Sequence, residues 1–283
     1  MENIFNKTRS AALQDVMRAA HKIAQSDLSV LIVGEHGTGK EWLARMIHQL
    51  NHTRTGPFWP FDCAAIPSKD IEKELYGSEE LTQNGVIILR GAFEEAEQGT
   101  LLLNEIDFLP AAIQMKVSRT VELRTIHRVG NDKTLPIDVR IIATLSQPAD
   151  SLIAGGTLSK DMFYRISPVV LELPPLRQHK EDIPLFIEKF LADLLVHNKS
   201  TIKGVSQKAM QICLEYDWPG NVRHLKNALE YAFIMCTESL IQPEHFPAYL
   251  RASSPEKGSH LAHTTINQTE GKRVGPQDPF TIP

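Results

Sequence analysis

The chain has 283 residues, 30 Lys plus Arg against 34 Asp plus Glu, and a formal charge of −4; this is room for one large domain, or a medium one with a small satellite. No block of basic residues stands out, which disfavours nucleic-acid binding by electrostatics alone. No apolar run approaches the roughly 18 residues needed to span a bilayer. The segment Met1 to Ser10 lacks a signal-peptide core, and the three cysteines, Cys63, Cys213 and Cys236, show neither zinc spacing nor a disulfide framework. A cytoplasmic protein with no membrane partner is expected.

In chain order, an amphipathic stretch from Leu13 to Ala24 precedes apolar, strand-like runs at Ser29 to Val33, Pro57 to Cys63, Thr100 to Asn104, Val139 to Thr144 and Pro168 to Leu173. Helical patterns fall between most of them, so the reading is α/β with a parallel five-stranded sheet flanked by helices. Pro174 and Pro175 end the last strand, and everything beyond is expected to be helical: Glu181 to His197, Ser206 to Tyr216, Asn221 to Cys236 and Pro243 to Leu250. Val222, Leu225, Leu229 and Ala232 give the third of these one apolar stripe. The expected division is 1–175 for an α/β subdomain, 176–251 for a smaller helical subdomain and 252–283 for a disordered tail, poor in large apolar residues.

The most informative segment is Gly34-Glu35-His36-Gly37-Thr38-Gly39-Lys40-Glu41, set between the first strand and a helix-patterned run from Trp42 to Leu50. Glycines at 34, 37 and 39 let successive amides turn inward toward phosphate oxygens, and the next helix presents its positive end to the same anion. Lys40 adds a full charge near the outer phosphates. A phosphate loop needs a second strand ending in oxygen ligands for magnesium and for the attacking water, and Leu101-Leu-Leu-Asn104-Glu105 is the candidate. ATP and Mg2+ are the expected cofactors. The histidines are scattered, and no H-E-x-x-H or G-x-S-x-G motif suggests a metal hydrolase or a serine nucleophile.

These two segments, Arg165 in Asp161-Met-Phe-Tyr-Arg165, and Trp218-Pro-Gly-Asn-Val-Arg223 together resemble the central AAA+ P-loop NTPase domain of the sigma-54-dependent transcription activators, the bacterial enhancer-binding family. The likeness runs from about Ile4 to Leu250 and includes Cys63-Ala-Ala-Ile66, Glu74-Leu-Tyr-Gly77, Gly91-Ala-Phe-Glu94 and Pro174-Pro-Leu-Arg177. It implies a ring oligomer, commonly a hexamer, that binds ATP between copies of itself and acts on sigma-54 RNA polymerase. Carried over, Gly34 to Glu41 would hold the phosphates and Glu105 would polarise water. Arg165 would reach a neighbour's site as an arginine finger, Arg223 would sense the γ-phosphate, and Asn104 with Glu105 would meet hydrated magnesium.

The departures bear on function. Asn104 stands where the family has Asp, Asp62 where it has Asn before Cys-Ala-Ala, and Ser159 where it has the first of two arginines; Thr144 or Ser146 must substitute for the first sensor. The loop motif Gly-Ala-Phe-Thr-Gly-Ala that meets sigma-54 is missing. Its interval, Ser78 to Arg90, has an Asn84-Gly85 turn signal before Val86-Ile-Ile-Leu89, which suggests a hairpin arm or a partner-binding edge. Neither a receiver-like segment before Ile4 nor a helix-turn-helix after the lid is seen, so no direct DNA-binding module is expected. Three functions stay open: an ATP-binding regulator of transcription with weak or absent hydrolysis that acts in a ring or on a partner activator without direct sigma-54 remodelling, a competent ring ATPase acting on sigma-54 RNA polymerase or another protein partner, and a nucleotide-independent protein-binding scaffold.

Overall fold

The computed structural model describes residues 7–83, 85–197 and 201–252; the tail expected to be disordered lies outside them, apart from its first residue. Five strands form one parallel sheet: β1 (Val30–Val33), β2 (Phe58–Asp62), β5 (Thr100–Asn104), β8 (Arg140–Leu145) and β9 (Val169–Glu172), in the spatial order β2-β5-β8-β1-β9. The three central strands are covered on both faces, which is why β1, β5 and β8 read as mainly apolar runs. Alternate residues go to opposite sides: Val30, Ile32, Leu102 and Ile142 join one core, and Leu31, Leu101, Leu103, Ile141 and Ala143 the other.

Helices α1 (Ala11–Ala24) and α2 (Lys40–Gln49) cover the first face. The second is covered by α3 (Ile71–Tyr76), α4 (Ala92–Glu95), α5 (Ala111–Leu123), α6 (Ala149–Ala154) and α7 (Lys160–Ile166). The C-terminal α1 carbonyls of Ile23 and Ala24, with that of Leu28, accept from the Arg140 guanidinium at 2.9, 3.3 and 3.2 Å. Arg140 is only 1% exposed, and burial lowers its pKa to about 10. Because its removal orphans three carbonyls, Arg140→Met is expected to lower unfolding free energy by about 3 kcal/mol in a urea titration.

Beyond β9 the lid is built of α8 (Ile183–His197), α9 (Gln207–Glu215), α10 (Asn221–Met235) and α11 (Ala248–Ala252). It packs onto the α1/α2 side, since Phe186, Trp218, Leu225 and Leu229 share the core of Val30 and Leu43. Two corrections to the sequence reading arise here. The lid is not wholly helical, because β10 (Gly204–Val205) and β11 (Leu240–Ile241) pair in parallel. The run expected to be helical from Pro243 to Leu250 is a 3-10 turn, Pro243–His245, and then α11; Pro247 separates them, and the residue before a proline is pushed out of helical backbone.

Ser78 to Leu89 forms an antiparallel hairpin, β3 (Ser78–Thr82) with β4 (Gly85–Leu89), in the register Thr82↔Gly85 to Ser78↔Leu89. It does not pack down on the domain: Leu81, Val86, Ile87, Ile88 and Leu89 are all about half exposed or more. Its base is tied where Glu79 N donates to Val129 O at 2.9 Å, beside the short pair β6 (Thr125–Ile126) and β7 (Leu135–Pro136). Arg128 of that same loop forks onto Glu94 at 2.5 and 2.9 Å.

Candidate functional site

The loop between β1 and α2 turns through Gly37 (φ 80°) and Gly39 (φ 105°), left-handed backbone that glycine adopts without strain. A Cβ at Gly37 would stand 2.3 Å from Gly220 O, so the loop lies directly under the start of α10. Lys40 opens α2 and is buried. Its Nζ donates to Gly34 O at 2.7 Å and Ser146 Oγ at 2.6 Å, and lies 3.2 Å from Glu105 Oε1. Burial lowers the Lys40 pKa, and the charge of Glu105 opposes that shift. The ammonium is therefore held at the end of the sheet, aimed across the loop, where an anion with several oxygens finds one compact positive charge and a helix N-terminus together.

The acidic side comes from the end of β5. Asp62 and Asn104 are register partners on β2 and β5. Glu105 takes left-handed backbone (φ 55°), an uncommon conformation for a residue with a Cβ and one that clusters at functional sites. Thr144 on β8, fully buried, stabilises the bend: its hydroxyl accepts from Glu105 N at 3.0 Å and donates to Asn104 Oδ1 at 2.6 Å. Glu105 Oε1 accepts from Ser146 Oγ at 2.6 Å, and His36 Nδ1 lies 3.0 Å from the same hydroxyl. Two residues on, in the 3-10 turn Ile106–Phe108, burial and then the charge of Glu105 raise the Asp107 pKa. The Asp62 carboxylate instead accepts from the Ala64 amide at 3.0 Å, closing its own turn.

The lid completes the site. Arg177 forks onto Glu35 at 2.6 and 2.8 Å, and its hydrogen bonds hold the Glu35 carboxyl below its usual range. Asn221, fully buried and at φ 53°, accepts from Leu176 N at 2.8 Å and donates to His36 O at 3.0 Å and Glu35 Oε2 at 3.2 Å. Loop and lid thus share one polar clasp. Asn221→Ala is expected to cost about 2–3 kcal/mol, since it orphans buried groups and strains an alanine at positive φ. Asn221→Gly, free of the strain, should recover part of that loss in the same denaturation experiment.

Between loop and lid lies a cleft of about 380 Å³, lined among others by Gly37, Thr38, Glu41, Trp42, Arg223 and Lys226. Arg223 also contributes to lowering the Lys40 pKa, after burial as the main cause. The structure brings together the 34–41 loop, Asn104, Glu105 and Arg223. Arg165 stands apart on α7 and pairs with Glu122 Oε2 of α5 at 3.0 Å. Ser159 caps α7 by accepting from Met162 N at 3.2 Å. Sequence reasoning gave no role to Asp107, Arg177 or Asn221. The last two sat inside quoted motifs, and Asp107, the next acid after Glu105, was legible only as charge.

Residues 7–172 match the family model described as the Sigma-54 interaction domain, and residues 177–263 the AAA+ ATPase lid domain. The regulatory protein AtoC of Escherichia coli is 40% identical over 245 residues, 86% of this chain and 53% of that protein. The transcriptional activator RocR of Bacillus subtilis is 40% identical over 243 residues, with 86% and 53% covered. The chain thus spans about half the length of the curated relatives it matches. Among solved structures, NtrX from Brucella abortus in complex with ATP superposes with a TM-score of 0.78 at 31% identity, covering 86% of this chain and 56% of that one. Its complex with ADP gives 0.79 at the same identity, with 89% and 56% covered.

Proposed function

Because the chain belongs to the Sigma-54 interaction domain family of AAA+ proteins, we propose that it is an ATP-binding, cytoplasmic regulator of transcription of the sigma-54 activator type, with weak or absent hydrolysis. The observation that carries this reading is the meeting of Lys40, Ser146 and Glu105 beneath a loop roofed by Arg223. Nucleotide complexes of the related NtrX support it.

In this reading the loop amides and Lys40 bind the outer phosphates, and the cleft takes the rest of the nucleotide. Magnesium uses one or two carboxylates besides phosphate oxygens, and Glu105 and Asp107 fit that requirement; when bound it would offset phosphate charge. The chain's own residues argue for slow turnover. Glu105 Oε1 is already engaged by Ser146 and Lys40, so the carboxylate is restrained from receiving a water proton. Ser159 supplies no cation, and Arg165 must leave Glu122 before it can reach a neighbouring copy in a ring.

The lost loop motif removes the family's usual contact with sigma-54, and the exposed apolar hairpin is where sigma-54 RNA polymerase or a partner activator would bind. A competent ring ATPase is the second reading, favoured by Glu105 Oε2, which is buried and without a hydrogen-bond partner. Steady-state ATP hydrolysis across protein concentrations, with Lys40→Ala as the blank, separates the two. A rate close to the blank alongside tight ATP binding is expected; a rate per subunit that climbs steeply with concentration supports the ring ATPase. Absence of nucleotide binding would leave only the scaffold.

A further inference from the structure

We propose that Asp107, in place of residue 104, supplies the second carboxylate with which Glu105 holds the divalent cation accompanying the nucleotide phosphates. This rests on the nucleotide reading and concerns how the same site keeps its metal after losing an acid.

Position 104 is spent. Thr144 is fully buried, so its single hydroxyl proton needs an acceptor, and Asn104 Oδ1 at 2.6 Å is that acceptor. The other side of the hydroxyl receives the Glu105 amide at 3.0 Å. Asn104 Oδ1 already accepts one hydrogen bond and carries no net charge, so it offers a cation one remaining neutral lone pair, while the amide nitrogen beside it is a donor that a cation rejects.

The negative charge reappears three positions later. The left-handed bend at Glu105 and the 3-10 turn after it keep Asp107 beside the same end of the sheet as Glu105. Three buried side-chain atoms among the described residues lack a hydrogen-bond partner, and two of them are Glu105 Oε2 and Asp107 Oδ1. Glu105 is itself 7% exposed. Native proteins satisfy such groups, so two orphaned carboxylate oxygens in one turn call for a positive ligand. Lys40 is not that ligand, because its ammonium faces Glu105 Oε1. Among the described residues no group of three or more His, Cys, Asp or Glu could hold a metal ion. The cation must then complete its shell with phosphate oxygens and water, as magnesium commonly does. Metal binding here therefore depends on nucleotide.

The test is Mn2+ binding by electron paramagnetic resonance on the full chain, with and without ADP, beside ADP affinity in EDTA. The wild-type chain should bind Mn2+ at least about tenfold more tightly with ADP than without it. Asp107→Asn should lose that enhancement while keeping ADP affinity in EDTA, and adding Asn104→Asp should restore it. Asn104→Asp alone should change Mn2+ affinity by less than about threefold, because both carboxylates are already present. Undiminished Mn2+ binding in Asp107→Asn, or a tenfold gain from Asn104→Asp alone, would overturn the proposal. Failure of ADP to bind in EDTA, or binding indifferent to Lys40→Ala, would instead remove the nucleotide reading beneath it.

Discussion

Replacing Lys40 by alanine should weaken ATP binding by on the order of 10² to 10³, the largest single effect expected in this chain. Truncating one partner of a buried, hydrogen-bonded charge pair costs about 3–5 kcal/mol, and each 1.4 kcal/mol is tenfold in affinity. Here the loss has two parts. The phosphates forfeit a desolvated ammonium, and Glu105, buried and 3.2 Å from Nζ, becomes an uncompensated negative charge facing the anion. The double variant Lys40→Ala with Glu105→Gln separates them, since it removes the repulsion without returning the attraction. Equilibrium binding of a fluorescent ATP analogue should therefore show the double variant recovering some, but not most, of the affinity. Full recovery would mean that Lys40 acts mainly by neutralising Glu105. Equal affinity in all three proteins would remove the 34–41 loop as the phosphate site.

The parts of this architecture that showed in the sequence are those where one physical demand acts on several adjacent residues. A strand covered on both faces must be mostly apolar, so β1, β5 and β8 stood out as runs within a residue or so of their ends. The phosphate loop was legible because close backbone approach demands glycine at set places, and Gly37 under Gly220 O is that demand in three dimensions. The hairpin showed through its turn signal and the uncharged tetrad Val86 to Leu89.

What escaped depends on contacts between distant residues. Arg140 looks like any strand-edge cation, and only the fold places three carbonyls around it. The pair β10 with β11 is two residues long on each side, too short for periodicity to register. Thr144 as the hydroxyl that orients Asn104 and Glu105 required knowing that β8 lies beside β5. Asp107 was passed over because the chain's direction after β5 is set by one positive φ at Glu105, a torsion the sequence does not announce.

Asn104→Asp combined with Ser159→Arg should raise ATP turnover by on the order of 10² to 10³ over the wild-type chain. An arginine finger contributes about 10³ to 10⁵ in phosphoryl transfer, and the family resemblance would put a second one at Ser159. Part of that gain will be offset locally. Ser159 caps α7, and losing a serine cap costs about 1 kcal/mol, which loosens the helix that also carries Arg165. The change at 104 acts on Glu105 by a different route. A carboxylate there still accepts from Thr144 and offers its second oxygen to the cation in place of Glu105, which leaves metal affinity little changed and Glu105 freer to meet water. The single variants distinguish the two effects: Ser159→Arg should act only in assemblies, with a rate that depends on protein concentration, while Asn104→Asp should act at every concentration. Adding Arg165→Ala to the double variant should return it toward the wild-type rate if the two arginines work at one interface. A double variant no faster than wild type would show that the slow step lies elsewhere, and the restraint of Glu105 by Ser146 and Lys40 would be the next bond to break.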